Sequence, residues 1–216
     1  MPRYDIILAD PPWMHTGSPN KWAAAGKHYT LMPLEEICAL PVKAIANARA
    51  ALFLWATCPR MPDAVAAMQA WGFNYRGVAH VWVKTRKDGQ PLGPQGIPPT
   101  FVKPVTELLL VGTTNRTGRP FPILSYKQRQ LVYAPREEHS KKPDIFRNLI
   151  VELCGDRPRI ELFARQRVDG WDCLGDAIDG SDIKTSLNTL KDSTRAITRS
   201  LVARIKLLQP GAGGQP

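Results

Sequence analysis

The sequence predicts an α/β domain built on a doubly wound, mostly parallel sheet and followed by an amphipathic helix. Three observations carry the prediction. Apolar runs of strand length alternate with segments of helical period along most of the chain. The 216 residues, 44% hydrophobic and 22% charged, suffice for one sizeable core but not for two. From about Ser181 the pattern changes to a single helical stripe, which divides the chain into a domain over 1–180, a helical extension over 181–209 and a tail without regular structure over 210–216.

Taken in order, Tyr4 to Ala9 is a nearly continuous apolar run ending in Asp10-Pro11-Pro12. It reads as a buried strand stopped by two prolines that cannot extend a ladder. The acid thus stands at a strand's carboxyl end, the edge where open parallel sheets bind ligands. Leu34 to Ala48 carries helical spacing broken at Pro41, and Ala50 to Trp55 is a second buried strand followed by the turn Thr57-Cys58-Pro59-Arg60. Met61 to Trp71 reads as a helix closed by Gly72, a residue free to adopt the left-handed conformation. Val78 to Val83 and Glu107 to Val111 are further strands. Between them, Asp88 to Pro104 is too rich in Gly and Pro for regular structure, and connections of that length are usually functional or mobile. After a loop from Thr113 to Gln130, Leu131 to Tyr133 is a strand, about Pro143 to Leu153 a helix, and Arg159 to Phe163 a last strand. Leu187, Leu190, Ile197, Leu201, Ile205 and Leu208 then recur at helical steps.

Composition narrows the function. A formal charge of +10 and a pI near 9.7 point to a polyanionic partner, since Lys and Arg gain affinity for phosphates by releasing condensed counterions. Charge alone does not separate DNA from RNA. Cys38, Cys58, Cys154 and Cys173 form no C-x-x-C pair, and the four histidines fit no ligand spacing, so no metal site is expected and the thiols read as reduced. No apolar run reaches the roughly 18 residues of a membrane span, and Met1-Pro2-Arg3-Tyr4 leads straight into a strand, so a cytoplasmic protein without membrane contact is expected.

The chemistry centres on Asp10-Pro11-Pro12-Trp13. The lone pair of an exocyclic amino group on a base is delocalised into the ring and attacks a methyl donor poorly. Two hydrogen-bond acceptors on its N–H groups, the Asp10 carboxylate and the Pro11 carbonyl, would favour a pyramidal nitrogen. Pro12 stiffens the turn, and the carbonyl of Pro11 faces no nearby competing N–H in this reading. Trp13 offers a face on which a flipped-out base can stack. An Asp-Pro turn after a strand also occurs in many folds for structural reasons alone.

With its surroundings, the tetrapeptide resembles the MT-A70 family of N6-adenine methyltransferases. The landmarks run in order: His28-Tyr29-Thr30-Leu31-Met32-Pro33-Leu34-Glu35-Glu36-Ile37, Leu52-Phe53-Leu54-Trp55-Ala56-Thr57, Trp71-Gly72-Phe73, Val81-Trp82-Val83-Lys84-Thr85, Glu107 to Gly112, His139-Ser140-Lys141-Lys142-Pro143-Asp144, Ile160 to Arg165, and Gly170-Trp171. The resemblance covers roughly residues 4–178. It implies a Rossmann-like fold dependent on S-adenosylmethionine, in a permuted order that puts the catalytic strand first and the cofactor strand, Arg159 to Phe163, last.

By the same resemblance Lys142 pairs with the donor's carboxylate, Asp10 lies near its ammonium group, and Ser140 lines the same pocket or caps a helix. Phe163 and Arg165 resemble positions lining the donor's ribose and adenosine, and Asp176 a polar contact to the nucleoside. The chain departs from the pattern at Arg167, where a histidine is common, and at Asp176-Ala177, which replaces a pair of amides. For the acceptor base, Tyr29, Trp82 and Glu107 match positions near the adenine pocket, although Trp82 in an apolar strand reads equally as core. The compactness of the chain resembles bacterial or phage members, which favours DNA over RNA. Asp10 argues against N4-cytosine methylation, where serine is commoner at that position. A non-catalytic scaffold is the rival reading from another class.

Lys84, Arg86, Lys87, Lys103, Arg116, Arg119, Lys127 and Arg129 concentrate in the two irregular connections, where they are expected to flank the ligand edge and meet phosphates. The terminal helix is read as docked on the domain and as a site of homodimerisation.

Overall fold

A computed structural model of the chain describes residues 3–14, 31–93, 102, 104–137 and 141–193. The strands are β1 (Tyr4–Ala9), β2 (Ala46–Ala56), β3 (Asn74–Thr85), β4 (Thr106–Thr113), β5 (Leu131–Pro135), β6 (Arg159–Leu162) and β7 (Asp172–Leu174). They form one seven-stranded sheet in the order β5-β3-β4-β2-β1-β6-β7. Four helices intervene, α1 (Leu34–Cys38), α2 (Met61–Ala70), α3 (Ile145–Cys154) and α4 (Asp176–Asp179), and residues 183–193 are again helical.

β1 lies inside the sheet, between β2 and β6, and carries apolar side chains to both faces, as a strand covered on two sides must. Ile7 and Ala9 pack with Leu52, Leu54, Ile37 and Met68 on the face covered by α1 and α2. Ile6 and Leu8 point the other way, to Phe53, Trp55 and the α3 residues Phe146 and Ile150. β1 pairs in parallel with β2 and with β6, so the carboxyl ends of all three meet at one edge. Arg147 of α3 grips Glu161 of β6 through two hydrogen bonds of 2.6 and 2.9 Å, fixing α3 against the strand behind the site.

Most elements form where the sequence places them, and the departures have physical causes. Residues 34–48 do not make one helix: α1 stops at Cys38, a single 3-10 turn covers Val42–Ala44, and β2 already begins at Ala46. Pro41 bars the intervening helical bonds, and Ala46 is drawn into the sheet opposite Tyr4. β7 and α4 are too short to leave a periodic signal.

β4 runs antiparallel to both of its neighbours, β2 and β3, while every other pairing is parallel. This one reversal moves its flanking loops. The β3–β4 connection stays at the edge where β1 and β2 end, but the connection after β4 leaves from the opposite edge. Arg116 and Arg119 therefore do not flank the ligand edge as expected, and the Arg119 carbonyl instead accepts a hydrogen bond from Arg49, ahead of the core run of β2. Lys127 and Arg129 precede β5 and likewise sit toward its amino end.

Candidate active site

At the carboxyl ends of β2, β1, β6 and β7, and the amino end of β4, lies a cavity of about 1020 Å³. That is the upper end of the roughly 300–1,000 Å³ usual for small-molecule sites, so it has room for a donor and a base. β1 delivers Asp10 to its floor, because the strand's hydrogen bonding to β6 ends there, with the Asp10 N–H 3.5 Å from the Leu162 carbonyl. The two prolines turn the chain along the edge. The Pro12 carbonyl accepts the Met32 N–H at 2.9 Å, and the Trp13 indole N–H donates to the Trp55 carbonyl at 3.1 Å, which pins the turn to β2. Pro11's carbonyl is not free of competition, as the sequence suggested: it accepts the Trp13 backbone N–H at 2.9 Å. One lone pair stays available, since a carbonyl oxygen has two.

Four charges alternate across the site. Lys142 Nζ lies 2.8 Å from Asp10 Oδ2 and 3.2 Å from Glu107 Oε2, and Glu107 Oε1 lies 2.6 Å from Lys84 Nζ. Trp55 and Trp82 lie under the two ammonium groups, 5.6 Å from Lys142 and 5.1 Å from Lys84. Burial drives the carboxyl of Asp10 above its usual range, more than the Lys142 charge pulls it down, and the Glu107 charge adds to the rise. Burial pushes Glu107 upward as well, but Lys142 and Lys84 together outweigh it and hold this carboxyl below its usual range. Burial of Lys142 works against its charge, yet the two carboxylates prevail and raise its proton affinity. The two acids thus differ: Glu107 is a fixed anion between two cations, whereas Asp10 is a carboxylate with raised affinity for hydrogen.

Of the residues singled out in the sequence, Asp10, Pro11, Pro12, Trp13, Glu107, Lys142, Phe163, Arg165 and Asp176 all line this cavity. Phe163 directly follows β6 with φ of 62°, a left-handed conformation uncommon for a bulky residue, which turns the chain from the strand into the cavity wall. Trp82 takes the core position that the sequence left open beside the site reading. It is 1% exposed, its indole N–H donates to the Ala134 carbonyl at 2.8 Å, and its ring meets Trp55 and Phe146 edge-on. It lies beneath the charge chain and does not line the cavity. Lys84 is likewise committed to Glu107 and not a loose phosphate ligand. Tyr29, Ser140 and Lys103, and the stripe from Ile197 to Leu208, fall outside the described residues.

The sequence reading did not single out Trp55 as a cavity residue or Lys84 as a partner of Glu107. Their places at the carboxyl ends of β2 and β3 are the signal that would have found them. Glu35 and Glu36 of α1 and Gly180, Asp182, Ile183 and Lys184 also face the cavity, and no local pattern marks them. Among the described residues no three His, Cys, Asp or Glu side chains converge as a metal site, and no helix is long and apolar enough to cross a membrane.

A mostly parallel seven-stranded sheet with helices on both faces and a cavity at the carboxyl ends of its strands is a Rossmann-like methyltransferase fold. Comparison with known proteins sharpens this. The MT-A70 family model matches residues 4–177, and the chain belongs to that family. It is 30% identical over 199 residues to the type II methyltransferase M.MunI of a Mycoplasma species, covering 84% of this chain and 81% of that protein. It is 27% identical to the N6-methyladenosine RNA methyltransferase MTA1 of Pyricularia oryzae, covering 82% of this chain and 47% of that one. The N(6)-adenosine-methyltransferase non-catalytic subunit METTL14 of Xenopus tropicalis is 28% identical, across 84% of this chain and 41% of its own length. The chain thus spans most of the first relative and under half of the other two.

Proposed function

We propose that this protein transfers a methyl group from S-adenosylmethionine to N6 of adenine in nucleic acid, DNA in preference to RNA. The observation that carries the reading is the Asp10-Pro11-Pro12-Trp13 turn, held at the floor of a cavity beside a buried lysine. The residues present fit the donor. Six carboxylates and three cationic side chains line the cavity of a protein whose overall charge is +10, so the cavity favours a cationic sulfonium ligand over a phosphate. Bound there, S-adenosylmethionine supplies an electrophilic methyl group.

The chain's own residues do the rest. Lys142 would pair with the donor's carboxylate, and Phe163, Arg165 and Asp176, which line the cavity, would surround its nucleoside. Asp10 and the second lone pair of the Pro11 carbonyl accept the two N–H groups of the acceptor amine. Because burial raises Asp10's affinity for hydrogen, its carboxylate is a strong acceptor for such a group. Trp13, 8% exposed and anchored on Trp55, offers an edge against which an unstacked base packs. Adenine as the base is supported by the relative named for N6-methyladenosine. DNA over RNA is supported by coverage: the relative named for RNA is matched over only 47% of its length, against 81% for the type II methyltransferase.

The non-catalytic reading has METTL14 in its favour, but here Asp10, the Pro-Pro turn and Lys142 stand together in one cavity. The test is incorporation of labelled methyl from the donor into adenine-containing DNA and RNA strands. Incorporation into DNA above RNA is expected. Equal or greater incorporation into RNA overturns the polymer assignment, and none into either overturns the activity.

A further inference from the structure

We infer that the start of the C-terminal helix, Gly180–Lys184, is the wall that closes the donor's nucleoside end of the cavity, so that donor binding depends on this helix being docked. The inference rests on the donor reading above and adds to it a part of the chain with no assigned role.

Strand order fixes which end of the cavity is which. Glu107 and Trp55, from β4 and β2, lie to one side of Asp10, and Phe163 and Asp176, which follow β6 and β7, lie to the other. Among the described residues β7 is the edge strand on that side of the sheet. Gly180, Asp182, Ile183 and Lys184, which follow β7 and α4 in the chain, line the same cavity.

The way this wall is held follows from local chemistry. Gly180 takes φ of +77° and returns its N–H to the Asp176 carbonyl at 3.0 Å, a left-handed stop that turns the chain after α4. Asp182 then accepts both the Thr185 N–H, at 2.9 Å, and its hydroxyl, at 2.6 Å, capping the helix of residues 183–193. Ile183 and Leu187, one turn apart, are 7% and 0% exposed in the core that α1 and α2 share, and Leu190 packs against the same cluster. The wall is fastened by an apolar stripe and not by strand pairing, so its attachment is a separate, local equilibrium. It presents an apolar surface at Ile183 beside the carboxylates of Asp176 and Asp182, a combination suited to a base and to ribose hydroxyls.

A ligand that touches the wall must stabilise its docking by mass action, and this is measurable as amide hydrogen exchange with S-adenosylhomocysteine as the probe. At about 100 times Kd the ligand can slow exchange by up to about 100-fold in segments that open only when it leaves. We expect slowing of about tenfold or more at residues 183–190, together with protection around Asp10 and Phe163. Protection around Asp10 and Phe163 with residues 183–190 unchanged would overturn the wall and leave the donor reading standing. Protection nowhere would overturn both. Ile183→Ala should in turn weaken the affinity for S-adenosylhomocysteine about tenfold by loosening the docked turn. An unchanged Kd in that variant contradicts the inference.

Discussion

Replacing Glu107 by Gln keeps the shape of the side chain and removes the anion between two lysines. Its carboxylate is 2.6 Å from Lys84 and 3.2 Å from Lys142, and the side chains of Glu107 and Lys142 are each only 10% exposed. Removing one member of a buried pair costs about 3–5 kcal/mol, because the partner charge stays behind without compensation. Two features place the loss at the lower end: Lys142 keeps Asp10, and Lys84 is 22% exposed and can be partly rehydrated. A loss of about 3 kcal/mol lowers the melting temperature of a chain this size by roughly 6–12 °C. Thermal unfolding of the wild type, Glu107→Gln, Lys84→Met and the double variant forms a cycle that isolates the contact. The double variant should be less destabilised than the sum of the singles by about 1–3 kcal/mol. Additive effects, or a Glu107→Gln variant melting within about 1 °C of the wild type, would refute the reasoning.

Asp10 differs, because burial of its own carboxylate and the loss of Lys142's partner oppose each other in stability; Asp10→Asn should shift the melting temperature less than Glu107→Gln does while methyl transfer falls by roughly 10²-fold or more, and wild-type activity in that variant contradicts this. His80 is 2% exposed, and burial lowers its proton affinity below the ordinary value of 6.5. The unfolded chain binds this proton first, so stability is lost as pH falls below about 6.5, and His80→Gln should flatten that part of the curve of melting temperature against pH; an unaltered slope counts against it. Gly175 joins β7 to α4, where a Cβ would lie 2.3 Å from the Ala164 carbonyl oxygen, so Gly175→Ala should cost about 1–3 kcal/mol and raise the donor KM, and kinetics and melting matching the wild type would contradict the close approach.

The catalytic strand was legible because its chemistry is local: an apolar run, an acid and two prolines are adjacent in the chain. Lys142 and Asp10, 132 residues apart, came together only through the family resemblance, since no periodicity links them. The direction of β4 was not legible. Glu107 to Val111 reads the same forwards or backwards as a buried strand, and the reversal alone decides that Arg116 and Arg119 lie away from the cavity. Trp82 shows the same limit from another side. Alternation assigns a face of the sheet but not whether that face, at that height, is open, and the packing of Trp55 and Phe146 covers it. The helix beginning at residue 183 was visible as a stripe, whereas its place beside the cavity depends on which core receives Ile183 and Leu187.

The central claim is that Asp10, at the end of β1, serves methylation of adenine N6. The measurement that bears on it most directly is the identity of the nucleoside formed when the protein acts on DNA with isotopically labelled S-adenosylmethionine, read by digestion and mass spectrometry. The label should appear in N6-methyladenine with the wild-type chain and vanish with Asp10→Ala at unchanged folding. Label in N4-methylcytosine, or in N6-methyladenine at wild-type levels from Asp10→Ala, would contradict it.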